Sequence, residues 1–269
     1  MPRMFKDLSI FMQVVVLLLL YAFLYMPILY IVYVSAQADA IWPFPPHWTG
    51  EHYVNLWHNT DYHTGARNSL IIGIGTGAIA SVLATMGAVG ILKYRLKGSK
   101  IIAALFLSPL FIAHILIGIS SLMFNKTLLG LPGNIFSAII ANATYATAFA
   151  FLVVLAQLAR YDWRLDEAAM VFGATPRRTF REVTLPLVWP AIFGAFIVSF
   201  LLAFNNLEIS FYNLGATPTL PTLAWGSLRH GISQELYALA ALINAAVFAF
   251  LGLLYVLLRV GVIRLSFKD

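Results

Sequence analysis

The chain has 269 residues, of which 61% are hydrophobic and only 10% charged, and it carries a formal net charge of +6. A soluble domain carries roughly 25% charged residues, so this chain cannot cover a water-facing surface and its solvent is lipid. The basic residues flank apolar runs instead of forming one basic face, which excludes a nucleic-acid-binding protein. The absence of cysteine excludes both a disulfide framework and a thiolate metal site.

A membrane-spanning helix takes about 20 predominantly apolar residues. Six stretches meet that length: 10–34, 69–92, 101–124, 134–158, 187–207 and 236–260. They are continuous runs without the short alternation of a membrane β-barrel. The predicted fold class is therefore an all-α membrane protein, with one transmembrane domain over 1–269. The N-terminal segment superficially resembles a signal peptide. Its apolar run is about twice the usual hydrophobic region of such peptides, so it is read as a retained first span.

Between the first two spans lies a long loop, 35–67, containing WPFPPHWTGEHYVNLWHNTDYH. Its Trp and Tyr residues suit the headgroup level. His47, His52, His58 and His63 lie here, and imidazole is a common metal ligand. Their spacing matches no recognised ligand pattern, so no metal site is assigned. Interfacial packing, or contact with a partner outside the membrane, is expected instead. The second span is rich in small residues, with a GxxxG pair at Gly73 and Gly77 that lets helix backbones approach closely; packing within the subunit is expected. Pro27 and Pro109 fall inside spans and each removes a helical hydrogen bond, so each is expected to kink its helix.

Sidedness follows from the cations. Arg3 and Lys6 precede the first span. Lys93, Arg95, Lys97 and Lys100 link the second and third. Arg160, Arg164, Arg177, Arg178 and Arg181 link the fourth and fifth, while Arg259, Arg264 and Lys268 follow the sixth. The opposite loops hold only Arg67, Lys126 and Arg229. Cytoplasmic loops carry the excess of Lys and Arg, so both termini are expected in the cytoplasm.

One cytoplasmic loop, 162–186, is polar and structured. Asp162 is placed to cap a short helix over 163–172, and Gly173 supplies the left-handed turn that ends it. Thr175 and Pro176 suit the cap and first position of a second helix running to about Val183, before Pro186 interrupts. Ala168, Ala169 and Phe172 share or adjoin one face, and the alanines leave room for another backbone. Asp166 and Glu167 offer acceptors to a partner's arginine. The other reading is an amphipathic helix lying on the membrane. The arginines suit that reading; the carboxylates, beside anionic lipid, do not.

The spacing of this loop is distinctive. Glu167-Ala168-Ala169 is followed after three residues by Gly173, and after nine more by Val183-Thr184-Leu185-Pro186. It resembles the EAA loop in the membrane subunits of binding-protein-dependent ABC importers, departing from that pattern only in Val183 where the family has Ile. Asn68-Ser69-Leu70, and the tail from Leu220-Pro221 to Leu239-Ala240-Ala241, resemble permease subunits of the polyamine and opine branch, in particular its C-type subunit. The resemblance implies a type I permease fold whose loop 162–186 is a coupling helix. Asp166, Glu167, Ala168, Ala169, Gly173, Ala174, Pro176 and Arg177 would then face an ATPase. The chain has no G-x-x-x-x-G-K-[ST] phosphate loop, so ATP and Mg are expected on a separate subunit and no catalytic residue is assigned here. The implied assembly has two ATPase subunits, a homologous permease that is either a second copy or a different chain, and an extracytoplasmic substrate-binding protein, in a bacterial inner membrane.

A solute path needs polar groups inside the bundle, where they are costly and usually line a route. The fifth span ends in FNNLEISFYN, which clusters Asn205, Asn206, Glu208, Ser210, Tyr212 and Asn213; Asn142 and Asn244 are further candidates, as are His114 and Tyr145. Interhelical hydrogen bonding is the alternative for each. The polyamine branch often carries paired aspartates where this chain has Asn205 and Asn206, and Glu208 restores one acceptor charge. Two rival functions fit the sequence less well: an ion-coupled secondary transporter, which lacks convincing mid-membrane carboxylates, and an intramembrane serine hydrolase built on Ser120 or Ser233 with His114 or His230, which lacks a defined serine–base pair.

Overall fold

In lipid a backbone can satisfy its own polar groups as a helix, and each predicted stretch is mostly helical over its described residues. The computed structural model describes residues 2–39, 44–230 and 233–259. Its contacts sort the chain into two units, Met1–Thr60 with Ser227–Asp269, and Asp61–Gly226.

In the first unit, α1 (Pro2–Ser35) packs along α12 (Gln234–Arg259), with the rings of Tyr25 and Phe248 6.2 Å apart. The aromatic loop is folded against the end of α1. Tyr33 stacks on Phe44 at 5.7 Å and meets Trp48 edge-on at 5.5 Å, and Gln37 and Trp48 form an isolated antiparallel bridge. The short helix α2 (Glu51–His58) follows, and Tyr53 shares a 2.7 Å hydrogen bond with Ser35. Asn59 donates to Glu235 at 3.1 Å, and Gln234 to the Ala38 carbonyl at 2.9 Å. His52 pairs through Nε2 with the Gln37 carbonyl at 2.9 Å. Among the described residues, no group of three or more His, Cys, Asp or Glu is placed to hold a metal.

The second unit is built around α3 (Thr60–Leu92), α6 (Ile135–Leu158) and α9 (Leu185–Phe204). Ala80, Ala84 and Ala88 of α3, Ala146 and Ala150 of α6 and Ala195 of α9 are buried in one cluster around Phe151 and Val154. Small residues let helices close up in lipid, where dispersion and not water exclusion holds them. Gly73 and Gly77 complete this seam: a Cβ on them would lie 2.8 Å from Phe200 and 2.9 Å from Phe196 of α9. The GxxxG pair is thus used within the subunit. At its head, Asn68 donates to the Pro218 carbonyl at 2.7 Å, and Ser69 accepts the Leu220 amide at 3.0 Å, just where α11 (Leu220–His230) begins.

Three expectations are corrected. The third span is not one helix: α4 (Ser99–Leu107), a 3-10 turn containing Pro109, and α5 (His114–Thr127) form a pair bent by 109°. Ile112 and Ala113 are extended (ψ 133° and 137°), which carries the chain round the corner. Phe106 of α4 stacks on Phe151 at 4.7 Å, while Asn125 of α5 reaches Ser137 at the start of α6 at 2.8 Å, so the two arms meet α6 at separate levels. Second, Pro186 does not interrupt the fifth span. The helix α8 (Pro176–Thr179) passes through a π turn, Phe180–Thr184, directly into α9, and the Leu185 amide bonds to the Phe180 carbonyl. Widening the turn shifts the hydrogen-bond register and carries the helix past the missing proline donor. Third, the fifth span ends earlier, at Phe204; Asn205–Leu207 break it before α10 (Glu208–Asn213).

Candidate functional site

Two features stand apart in the second unit: the polar elbow and a cavity at the far end of α9. The elbow begins with α7 (Arg164–Val171), whose first free amide, that of Arg164, is accepted by the Asp162 carboxylate at 3.1 Å. Gly173 follows at φ 88°, a left-handed conformation costly for any side chain. Thr175 caps α8 by accepting the Arg178 amide at 3.4 Å, with Pro176 in its first turn. Glu167, Ala168, Pro176 and Arg177 are exposed, while Ala169 and Ala174 are half-buried. At the tip, Val171 is 84% and Phe172 91% exposed. An apolar tip on a polar elbow is a surface with the character of a contact anchor.

Asp166 behaves differently from its neighbour Glu167. It is 2% exposed and turned inward. Its carboxylate accepts Lys93 Nζ at 2.5 Å, the Tyr161 hydroxyl at 2.7 Å and the Thr184 hydroxyl at 3.0 Å to each oxygen. Lys93 also lies 5.6 Å from the centre of the Trp163 ring, and Trp163 meets Tyr161 edge-on. Asp166 is therefore committed inside the chain and is not an acceptor on the surface, as its sequence neighbourhood had suggested. Burial by itself would raise its pKa. The hydrogen bonds from Lys93, Tyr161 and Thr184, with the Lys93 charge, outweigh burial and hold the carboxyl below its ordinary value. Burial, reinforced by Asp166, pushes the Tyr161 hydroxyl up to about 12.

The sign of the pH dependence follows. Asp166 is easier to ionise in the folded protein, so its contribution is present above the ordinary carboxyl value of 3.8 and is lost as pH falls through the lower folded value. The difference in melting temperature between the native protein and Asp166→Asn is expected to be full near neutral pH. It should shrink as the pH is taken below 3.8, which a detergent-stable thermal unfolding series would measure.

The cavity, about 610 Å³, opens where two helices are broken. The corner between α4 and α5 sets His114 at the first position of α5, and the break after α9 sets Glu208 at the first position of α10. Irregular backbone at membrane depth is tolerated where it lines a cavity. His114 Nδ1 lies 3.5 Å from Glu208 Oε2, and its ring meets Tyr145 edge-on at 4.3 Å. Asn205 and Asn206 also line the cavity. The Asn206 oxygen is occupied by the Ile209 amide at 2.8 Å.

The remaining sequence candidates lie elsewhere. Asn142 is buried and bonds Ala138 at 2.8 Å and Ser210 at 3.1 Å, which is interhelical bonding. Tyr212 packs against Phe211 and beside Gly118. Asn244 belongs to α12, where it donates to the Ala240 carbonyl of its own helix at 2.9 Å. Ser120 donates to the Leu116 carbonyl of its own helix at 2.7 Å, whereas His114 faces Glu208 and Tyr145, so the two do not form a nucleophile–base pair. The other pair named for that reading, His230 with Ser233, includes a side chain, that of His230, outside the described residues. Sequence reasoning missed the roles of Lys93, Tyr161 and Thr184 around Asp166. Lys93 is 73 positions from its partner, and nothing in its surroundings marks it apart from the other loop cations.

The fold matches that of a bacterial ABC transporter involved in the import of the acidic polysaccharide alginate, with a TM-score of 0.72 over 93% of this chain and 96% of that one, at 18% identity. A second structure, of a bacterial alginate ABC transporter in complex with an alginate pentasaccharide-bound periplasmic protein, matches with a TM-score of 0.62 over 93% of each chain, at 19% identity. These likenesses show that the chain shares the fold of those membrane proteins.

Sequence relatives go further. The chain is 32% identical over 242 residues to the putrescine transport system permease protein PotI of Escherichia coli (strain K12), covering 87% of this chain and 86% of that protein. It is 26% identical over 228 residues to the spermidine/putrescine transport system permease protein PotC of the same organism, covering 83% and 85%. No family model matches the chain. The chain belongs to the family of permease subunits of binding-protein-dependent ABC importers, and is a multi-pass protein of the bacterial inner membrane.

Proposed function

We propose that this permease forms, with a homologous permease, the route by which a small cationic amine enters the cell, and that its elbow receives the stroke of an ATPase. The observation that carries the reading is the elbow itself: Phe172, 91% exposed, beside exposed Glu167 and Ala168, on a scaffold turned by Gly173 and capped by Thr175. Two ATPase subunits would bind ATP and Mg, one against each permease. An extracytoplasmic binding protein would deliver the solute at the opposite face. Both termini lie in the cytoplasm on this reading. The Lys93–Asp166 bond draws the basic loops 93–100 and 160–181 to one end of the molecule, and an excess of Lys and Arg marks the cytoplasmic side.

The amine class rests on two supports. PotI and PotC are named for putrescine and for spermidine and putrescine. Glu208 supplies a carboxylate to the cavity at the end of α9, beside the Tyr145 ring, and a carboxylate with an aromatic neighbour suits an ammonium group.

Glu167→Lys and Phe172→Asp test the elbow in the complete importer, purified and reconstituted in proteoliposomes. Contact anchors contribute roughly 2 kcal/mol or more, about a 30-fold change in affinity. Each variant is expected to lose the ATPase on purification and to reduce uptake to background. Retention of both ATPase and uptake by both variants would overturn the assignment.

A further inference from the structure

We propose that Asp166 is a positioning residue which locks the elbow to the end of α3, so that displacement of the elbow moves α3, α6 and α9 as one body. This rests on the reading of the elbow as the ATPase-facing handle. The chain itself joins the elbow to α6, which ends at Leu158, and to α9, which begins at Leu185. It does not join the elbow to α3. Lys93 follows the last residue of α3, and its bond to Asp166 supplies that third attachment.

The elbow needs it. α7 has only 8 residues, far below the length at which a helix holds itself together, and α8 is the 4-residue entry to the π turn that leads into α9. The exit from α8 is a five-residue π turn, a local defect in the helical ladder. Without an outside constraint, a push on Phe172 could be absorbed by rotation at Gly173 and in that turn. Asp166 ties down both ends. Its carboxylate holds Thr184, the last residue of the π turn, and Tyr161, which precedes α7, while Lys93 anchors the whole to α3. Further along, α3 is seated on α9 through Gly77 on Phe196 and Gly73 on Phe200. The locked body therefore reaches to the end of α9 at Phe204, beside Asn205 at the cavity.

A buried carboxylate is expensive unless paired. A carboxylate needed merely to favour the start of a short helix works from the surface, as Asp162 does here. Burial of Asp166 against donors from three separate segments is the arrangement of a strut.

The test uses Lys93→Met with Asp166→Asn, which removes both charges together and leaves neither stranded. In the reconstituted importer this pair is expected to retain the ATPase and its hydrolysis while uptake per ATP falls at least 10-fold. Retention of the ATPase separates this result from failure of the elbow reading, which Glu167→Lys and Phe172→Asp report independently. The chain has no cysteine, so Lys93→Cys with Asp166→Cys places two unique thiols at the strut. That variant is expected to be equally uncoupled, and bridging its thiols with a short bifunctional maleimide is expected to restore uptake per ATP. Uptake per ATP is the readout that a role in stability alone would not move, because loss of folded complex lowers uptake and hydrolysis together. Uptake per ATP within twofold of the native protein in the Met/Asn variant, or no recovery on bridging, would overturn the proposal.

Discussion

Gly77→Leu is expected to abolish accumulation of folded permease in the membrane. A Cβ at this position would stand 2.9 Å from the Phe196 ring and 3.0 Å from the Phe196 carbonyl oxygen. The ring could turn aside, but the carbonyl belongs to the backbone of α9 and cannot move without moving the helix. Leucine adds three more carbons beyond that Cβ. Overpacking a well-filled core costs about 1–3 kcal/mol and sometimes more, against a total stability on the order of 5–15 kcal/mol for a domain. Here the loss is compounded, because separating α3 from α9 also opens the buried alanine cluster shared with α6. Fluorescence-detected gel filtration of tagged protein is expected to show no monodisperse peak. Gly226→Ala is the control: an added Cβ there meets nothing within 4 Å, so the profile should match the native one. A normal peak from Gly77→Leu would mean that α3 does not sit on α9 as described.

The second large effect is expected at the cavity. Glu208→Gln keeps the shape of the side chain and removes its charge. A hydrogen bond to a charged group contributes about 1.5–3 kcal/mol, so the KM for uptake of a diamine such as putrescine is expected to rise roughly 10–100-fold. ATPase association should be unchanged, because Glu208 lies at the far end of α9 from the elbow. His114 lies 3.5 Å from the carboxylate. Replacing it with glutamine leaves Glu208 in place and is expected to raise the KM much less. An unchanged KM in Glu208→Gln would remove the carboxylate from the solute's route.

Much of the architecture is legible in the amino-acid order because the forces behind it are local. Twenty apolar residues in a row have one inexpensive state in lipid, and the stretches 134–158 and 236–260 are found as α6 and α12 with ends shifted by a few residues. The elbow was equally readable. Gly173 takes its left-handed turn and Thr175 its cap because a glycine or a threonine makes those choices with its immediate neighbours. The spacing from Glu167 to Pro186 carries the resemblance to the importer family along the chain itself.

What the order of residues left open depends on contacts between distant segments. Pro109 marked a weak point in the third span, but a proline inside a membrane helix is compatible with anything from a slight kink to a full corner. The 109° bend belongs to an arrangement in which α4 packs by Phe106 on one part of α6 while α5 reaches Ser137 at its start. Adjacent carboxylates at Asp166 and Glu167 look alike in sequence; one is buried against Lys93, Tyr161 and Thr184 and the other faces out. Asn142 and Asn205 were equivalent polar residues in apolar runs, yet Ser210 takes up the first and the cavity receives the second. Hydrophobic length and capping act within a turn or two of chain, so they are written along it. Which side chain meets which across 70 or more residues is decided when helices pack, because only then does burial make a polar group find its partner.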